Sequence, residues 1–76
     1  MRTIFRVEFG VHVPEDSIAS MVTGLTSHGL LSRDPNSRRY LVDVQRPARA
    51  AALQKQLQSW ERYGFLTWQA QKQIEN

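Results

Sequence analysis

Residues 3–13 alternate with a period of two. Thr3, Phe5, Val7, Phe9, Val11 and Val13 fall on one side of an extended chain, and Ile4, Arg6, Glu8, Gly10 and His12 fall on the other. Successive side chains of a strand point to opposite faces, so this run reads as a long half-buried strand with its apolar side on a core. One strand cannot supply that core. The other elements have to be brought against it within a chain of 76 residues.

Pro14 breaks the run, and Glu15 and Asp16 suit the partly positive first turn of a helix. Ile18, Met21, Val22 and Leu25 recur at helical spacing, which predicts a helix over about 15–28 with Gly29 as its left-handed stop. Gly24 inside it is either a weak point or a place of close packing. Leu30 to Arg33 and Arg38 to Gln45 read as two short strands joined by Asp34-Pro35-Asn36-Ser37, a sequence suited to a type I turn. In the second of them Tyr40, Val42 and Val44 alternate with Arg39, Leu41 and Asp43. Pro47 fits the first position of a second helix, whose apolar stripe is Ala50, Leu53, Leu57 and Trp60 and whose stop is Gly64. Phe65 to Gln71 alternates once more and predicts a last strand, with a loose tail over 72–76.

The predicted order is strand, helix, strand, strand, helix, strand. Right-handed crossovers then lead to a single α+β domain over 1–76, a ferredoxin-like βαββαβ sandwich. It has a four-stranded antiparallel sheet in the order 4-1-3-2 with two helices on one face. A competing reading merges 30–45 into one strand and leaves a three-stranded sheet. The expected core is Phe5, Val7, Phe9, Val11, Ile18, Val22, Leu25, Leu31, Tyr40, Val42, Val44, Leu53, Leu57, Trp60, Leu66 and Trp68. In the expected register Arg6 lies opposite Asp43 and Glu8 is diagonal to Arg39.

Composition narrows the function. Hydrophobic residues make up 41% and charged residues 22%, an ordinary globular mix. There is no cysteine, which excludes disulfides, thiolate metal sites and a cysteine nucleophile. No apolar run approaches the ~18 residues of a membrane span, and Arg6 and Glu8 interrupt the first apolar segment, so a cytoplasmic location off the membrane is expected. No phosphate-binding glycine loop, paired carboxylates or Ser–His–Asp set is present, and His12 and His28 sit at opposite ends of the first helix, where they cannot share a metal. The expected protein has no cofactor, no metal and no catalytic residue. It is a small non-catalytic binding or regulatory module acting through protein–protein contacts.

Eight of the ten basic residues are arginine, and the formal net charge is +3. Arg33, Arg38, Arg39, Arg46 and Arg49 are candidates for holding nucleic acid without sequence preference, or an acidic partner. The fold places the first three at the hairpin tip and Arg46 and Arg49, with Arg2, at the opposite end. Ile4, Leu30, Leu41 and Phe65 are expected as apolar residues on the open face of the sheet, where a protein partner or a second copy would cover them. RNA-recognition modules stack bases on aromatics of that face, but Phe5 and Tyr40 point inward by the alternation. A ribonuclease-type toxin would use His12 for proton transfer, with Arg38 and Arg39 on the phosphate. Trp60 and Trp68 fall on inward faces and belong with the core.

Overall fold

β1 (Arg2–Phe9) is flanked on both sides by antiparallel partners, β3 (Arg39–Val44) and β4 (Leu66–Gln73). β2 (Leu30–Arg33) adds to the far side of β3, which completes a four-stranded sheet in the order β2-β3-β1-β4. The helices α1 (Glu15–Thr26) and α2 (Pro47–Arg62) cover one face, and the architecture is a ferredoxin-like α+β sandwich. These details come from a computed structural model that describes residues 2–33 and 37–73. The Asp34-Pro35-Asn36 part of the expected turn and residues 74–76 of the expected tail lie outside the described residues. β2 and β3 are separate strands paired with each other, so the single-strand reading of 30–45 does not hold. Among the described residues, no helix is long and apolar enough to cross a membrane.

The inward side chains of the alternating segments meet the helix stripes. Phe5, Val7 and Phe9 of β1 and Tyr40, Val42 and Val44 of β3 are buried against Ile18, Met21 and Leu25 of α1 and Leu53 and Leu57 of α2. Trp60, Trp68, Val22 and Leu31 are half-buried and pack on the outside of this cluster. Aromatic contacts link the strands: Phe9 meets Tyr40 edge-on at 5.5 Å between centroids, and Phe5 meets Trp68 at 6.1 Å.

Four expectations need correction. First, β1 stops at Phe9 rather than Val13. Residues 10–13 form a turn closed by Val13 N–H donating to the Gly10 carbonyl at 3.1 Å, and Val11 is 88% exposed rather than in the core. Val13 returns to the core and Met21 joins it. The period-two pattern of the sequence continues past the end of the strand, but the turn breaks it in space, sending Val11 out and Val13 in although the alternation set both on one face. Second, β4 runs on to Gln73, so Lys72 and Gln73 are not a loose tail but pair with Thr3 and Arg2. Third, Ile4 lies opposite Asp43, Arg6 opposite Leu41 and Glu8 opposite Arg39. The register differs by two residues from the expected one, and a shift of two leaves every side chain on its expected face.

Fourth, Gly29 is not in the left-handed region; among the described glycines only Gly64 has positive φ, at 79°. α1 ends at Thr26, where Ser27 and His28 N–H groups donate to the carbonyls of Gly24 and Leu25. Gly29 is needed for space: a Cβ there would overlap the Asp43 carbonyl oxygen of β3.

Candidate functional site

The end of α2 builds an aromatic rim. Gly64 N–H donates to the Glu61 carbonyl at 2.9 Å and Phe65 N–H donates to the Trp60 carbonyl at 3.1 Å, the two bonds of a Schellman motif. Glycine at residue 64 supplies the positive φ that this motif requires. The motif folds the chain back so that Tyr63 and Phe65 stack with centroids 5.8 Å apart and planes at 26°. Gly10 N–H donates to the Phe65 carbonyl at 3.0 Å, which ties this turn to the one after β1. Between the two turns and α1 lies an open cleft of about 450 Å³ lined by His12, Val13, Pro14, Met21, Trp60 and Phe65, with Ser17 and Ser20. Its walls are mostly apolar. Tyr63 is 70% exposed and Phe65 39% exposed at its edge.

The open face of the sheet is different in character. A shallow concavity of about 630 Å³ there is lined by Arg6, Glu8, Arg39, Leu41, Thr67 and Gln69, among others. Leu30 and Leu41 are exposed on this face and Ile4 is half-buried. Leu41 is diagonal to both Leu30 and Ile4, but Asp43 stands directly between those two and Arg6 stands opposite Leu41. Charged groups therefore break up the apolar area. Arg39 Nε donates to Glu8 Oε1 at 3.4 Å, and Arg2 pairs with Asp43 at 3.5 Å. Phe65, expected on this face, precedes β4 and lines the end cleft with Trp60 and Met21.

The arginines are found at the two ends where they were expected, yet several already serve the fold. Arg38 donates through Nη1 to the carbonyls of Val13 at 2.8 Å and Gly10 at 3.4 Å, holding the turn after β1. Arg39 is paired with Glu8, and Arg49 donates to the Ser27 carbonyl at 3.2 Å, joining the start of α2 to the end of α1. Arg33 lies over the Tyr40 ring at 5.8 Å, and Arg46 is exposed just before α2. No common basic stripe results. Replacing Arg38 by Met is expected to lower stability by about 1–3 kcal/mol, because two turn carbonyls lose a charged donor. Arg39→Met is expected to cost less than about 1 kcal/mol, since its ion pair is solvent-exposed. Urea denaturation of the two variants gives the comparison.

His12 lies in the turn, exposed, and not at the end of a strand. Its ring folds back toward Gly10, where an added Cβ would come within 2.7 Å of it. Glu15 and Asp16 open α1 nearby, but among the described residues no group of three His, Asp or Glu side chains is placed to hold a metal ion. No catalytic motif is assembled among the described residues. The alternation placed Phe65 on the open face of the sheet, whereas it lines the end cleft, and it indicated neither the stacking of Tyr63 on Phe65 nor the exposure of Val11. Tyr63 sits in no periodic stripe, and Val11 was absorbed into one. The only sequence signal for the rim is Tyr63-Gly64-Phe65, a helix-stopping glycine between two aromatics. No protein-family model, curated protein or solved structure matches the chain.

Proposed function

We propose that the chain is a small non-catalytic interaction module that holds a partner protein at the end cleft, through an apolar or aromatic anchor from that partner. The observation that carries this reading is the stacked, exposed pair Tyr63–Phe65 at the edge of a cleft walled by Trp60, Met21 and Pro14. Aromatic side chains in water-accessible clusters are the compositional mark of interface cores, and a solvated domain gains nothing by exposing them. The rim is also pre-organised. The Schellman bonds fix the backbone of Gly64 and Phe65, so little ordering entropy is lost when a partner binds.

Capture of binding proteins from the native cell, with tagged wild-type and variant chains, tests the reading. Wild type and the open-face variant Leu30→Ser are expected to retain the same partner. Phe65→Ser combined with Tyr63→Ser is expected to lose it, with affinity falling roughly 30-fold or more, the scale of an aromatic hot spot of about 2 kcal/mol. Retention by the double variant, or loss on Leu30→Ser, would place the contact elsewhere.

A further inference from the structure

The sheet has two edges of unequal kind. β2 offers four residues and ends in Arg33. β4 offers eight residues, Leu66–Gln73, with no proline and a single charged residue, Lys72. Long edges are normally blunted by charges, prolines or bulges, and over these eight residues this one carries only Lys72, near its end.

Its hydrogen-bond phase follows from the ladder. Gly10 N–H donates to the Phe65 carbonyl, so this is a hydrogen-bonded pair, and such pairs alternate along antiparallel strands. With Phe9 opposite Leu66, residues Thr67, Gln69 and Gln71 direct their N–H and C=O groups to β1. Leu66, Trp68, Ala70 and Lys72 direct theirs away from the sheet, where no strand among the described residues pairs with them. The contact on the other side of β1 agrees: Phe9 N–H donates to the Arg38 carbonyl, in the opposite phase to Gly10.

We infer that the β4 edge pairs with the β4 edge of a second copy of this chain, antiparallel, about a two-fold axis through Gln69. This pairing is independent of the partner cleft. The register sets Trp68 of each copy opposite Ala70 of the other, and Leu66 opposite Lys72. The half-buried indole then lies beside an exposed methyl, large against small, twice by symmetry. Leu66 is already buried within its own copy, so Lys72 opposite it only lays its stem along the strand end and keeps its ammonium in water. On the open face Gln69 meets Gln69, and Thr67 meets Gln71, so polar side chains that can donate and accept face one another and no like charges meet. Moving the axis to Trp68 would oppose two indoles, and moving it to Ala70 would leave two small residues together with no side chain to fill the space between them. The two-fold stands perpendicular to the sheet, so the helices of both copies stay on the same side of one continuous sheet.

The absence of cysteine in the chain makes the register directly readable. In this pairing Gln69 faces its own copy in a non-hydrogen-bonded pair, with Cα atoms about 4.5 Å apart, inside the range a disulfide spans. The two Thr67 Cα atoms lie four residues apart along the strands, roughly 13 Å at ~3.3 Å per residue, too far to bridge. Purified Gln69→Cys is expected to form a covalent dimer on mild oxidation, and Thr67→Cys is not. Sedimentation velocity of the wild type from micromolar to millimolar concentration is expected to show a monomer–dimer equilibrium. Ala70→Pro should remove the dimer and keep the monomer's circular dichroism, because the Ala70 N–H is not used within the sheet. Should the proline variant fail to fold, Ala70→Lys provides the same test with a charge at the edge. A wild type that stays monomeric throughout overturns the inference. So does a dimer that persists in a folded Ala70→Pro or Ala70→Lys variant, or crosslinking by Thr67→Cys in place of Gln69→Cys.

Discussion

Phe5→Ala is expected to destabilise the fold by about 3–5 kcal/mol, the range for removing a buried phenylalanine ring. Phe5 is 1% exposed and stands on a strand with partners on both sides, opposite Val42 and Ala70. Its ring contacts the Trp68 layer, and the surrounding strands cannot collapse into the cavity without breaking a ladder. A domain of this size has a total stability near the lower end of the usual ~5–15 kcal/mol, so the variant should retain at most about 2 kcal/mol and melt far below the wild type. Val11→Ala, in the same alternating run, should change stability by less than about 0.5 kcal/mol, because the side chain is 88% exposed. Thermal and urea unfolding followed by circular dichroism measures both. Equal losses in the two variants would mean that β1 continues through the turn and that residue 11 faces the core.

Gly29→Ala should lower stability by about 3 kcal/mol, the upper part of the range for forcing atoms into a packed site. The added methyl would overlap the Asp43 carbonyl oxygen, and it would also stand 2.9 Å from the carbonyl carbon and 3.1 Å from Val44 Cγ2. The obstacle is backbone rather than a flexible side chain. β3 is bonded on one side to β1 and on the other to β2, so it cannot step aside without loosening a ladder. Gly24→Ala provides the contrast. There the methyl would sit 3.6 Å from Trp60 Cη2, an ordinary contact, in the interior of α1. A gain of about 0.5–1 kcal/mol is expected, since alanine loses less backbone entropy than glycine in a helix. If both variants were stabilised, the close approach of Gly29 to β3 would be wrong.

These two glycines divide what is local from what is not. A glycine after a helical stripe reads as a left-handed stop, and at Gly64 that reading holds because the Schellman bonds are made within a few residues of it. At Gly29 the same local signal misleads, since the demand comes from a strand fourteen residues further along the chain. The arginines show the same division. Their number and order are visible in the sequence, but not that Arg38 is occupied by the carbonyls of Gly10 and Val13, which lie 28 and 25 residues earlier.

The alternation of β1, β3 and the segment that forms β4, the turn sequence between β2 and β3, the stripes of α1 and α2, and the positions of Pro47 and Gly64 were enough by themselves to place six elements in order and to assign the inner faces of β1, β3 and the helices. Side-chain direction repeats every two residues in a strand and every 3.6 in a helix, so each face is set by local geometry and is written into adjacent residues. Only the tertiary structure decided where pairing stops, that Ile4 rather than Arg6 stands opposite Asp43, and that Phe65, with Tyr63 stacked on it, lines a cleft. Those features depend on how far the partner strands extend and how the chain returns through its crossovers. A two-residue slip preserves every face and leaves the hydrophobic pattern unchanged, so the pattern carries no information that could distinguish the two registers.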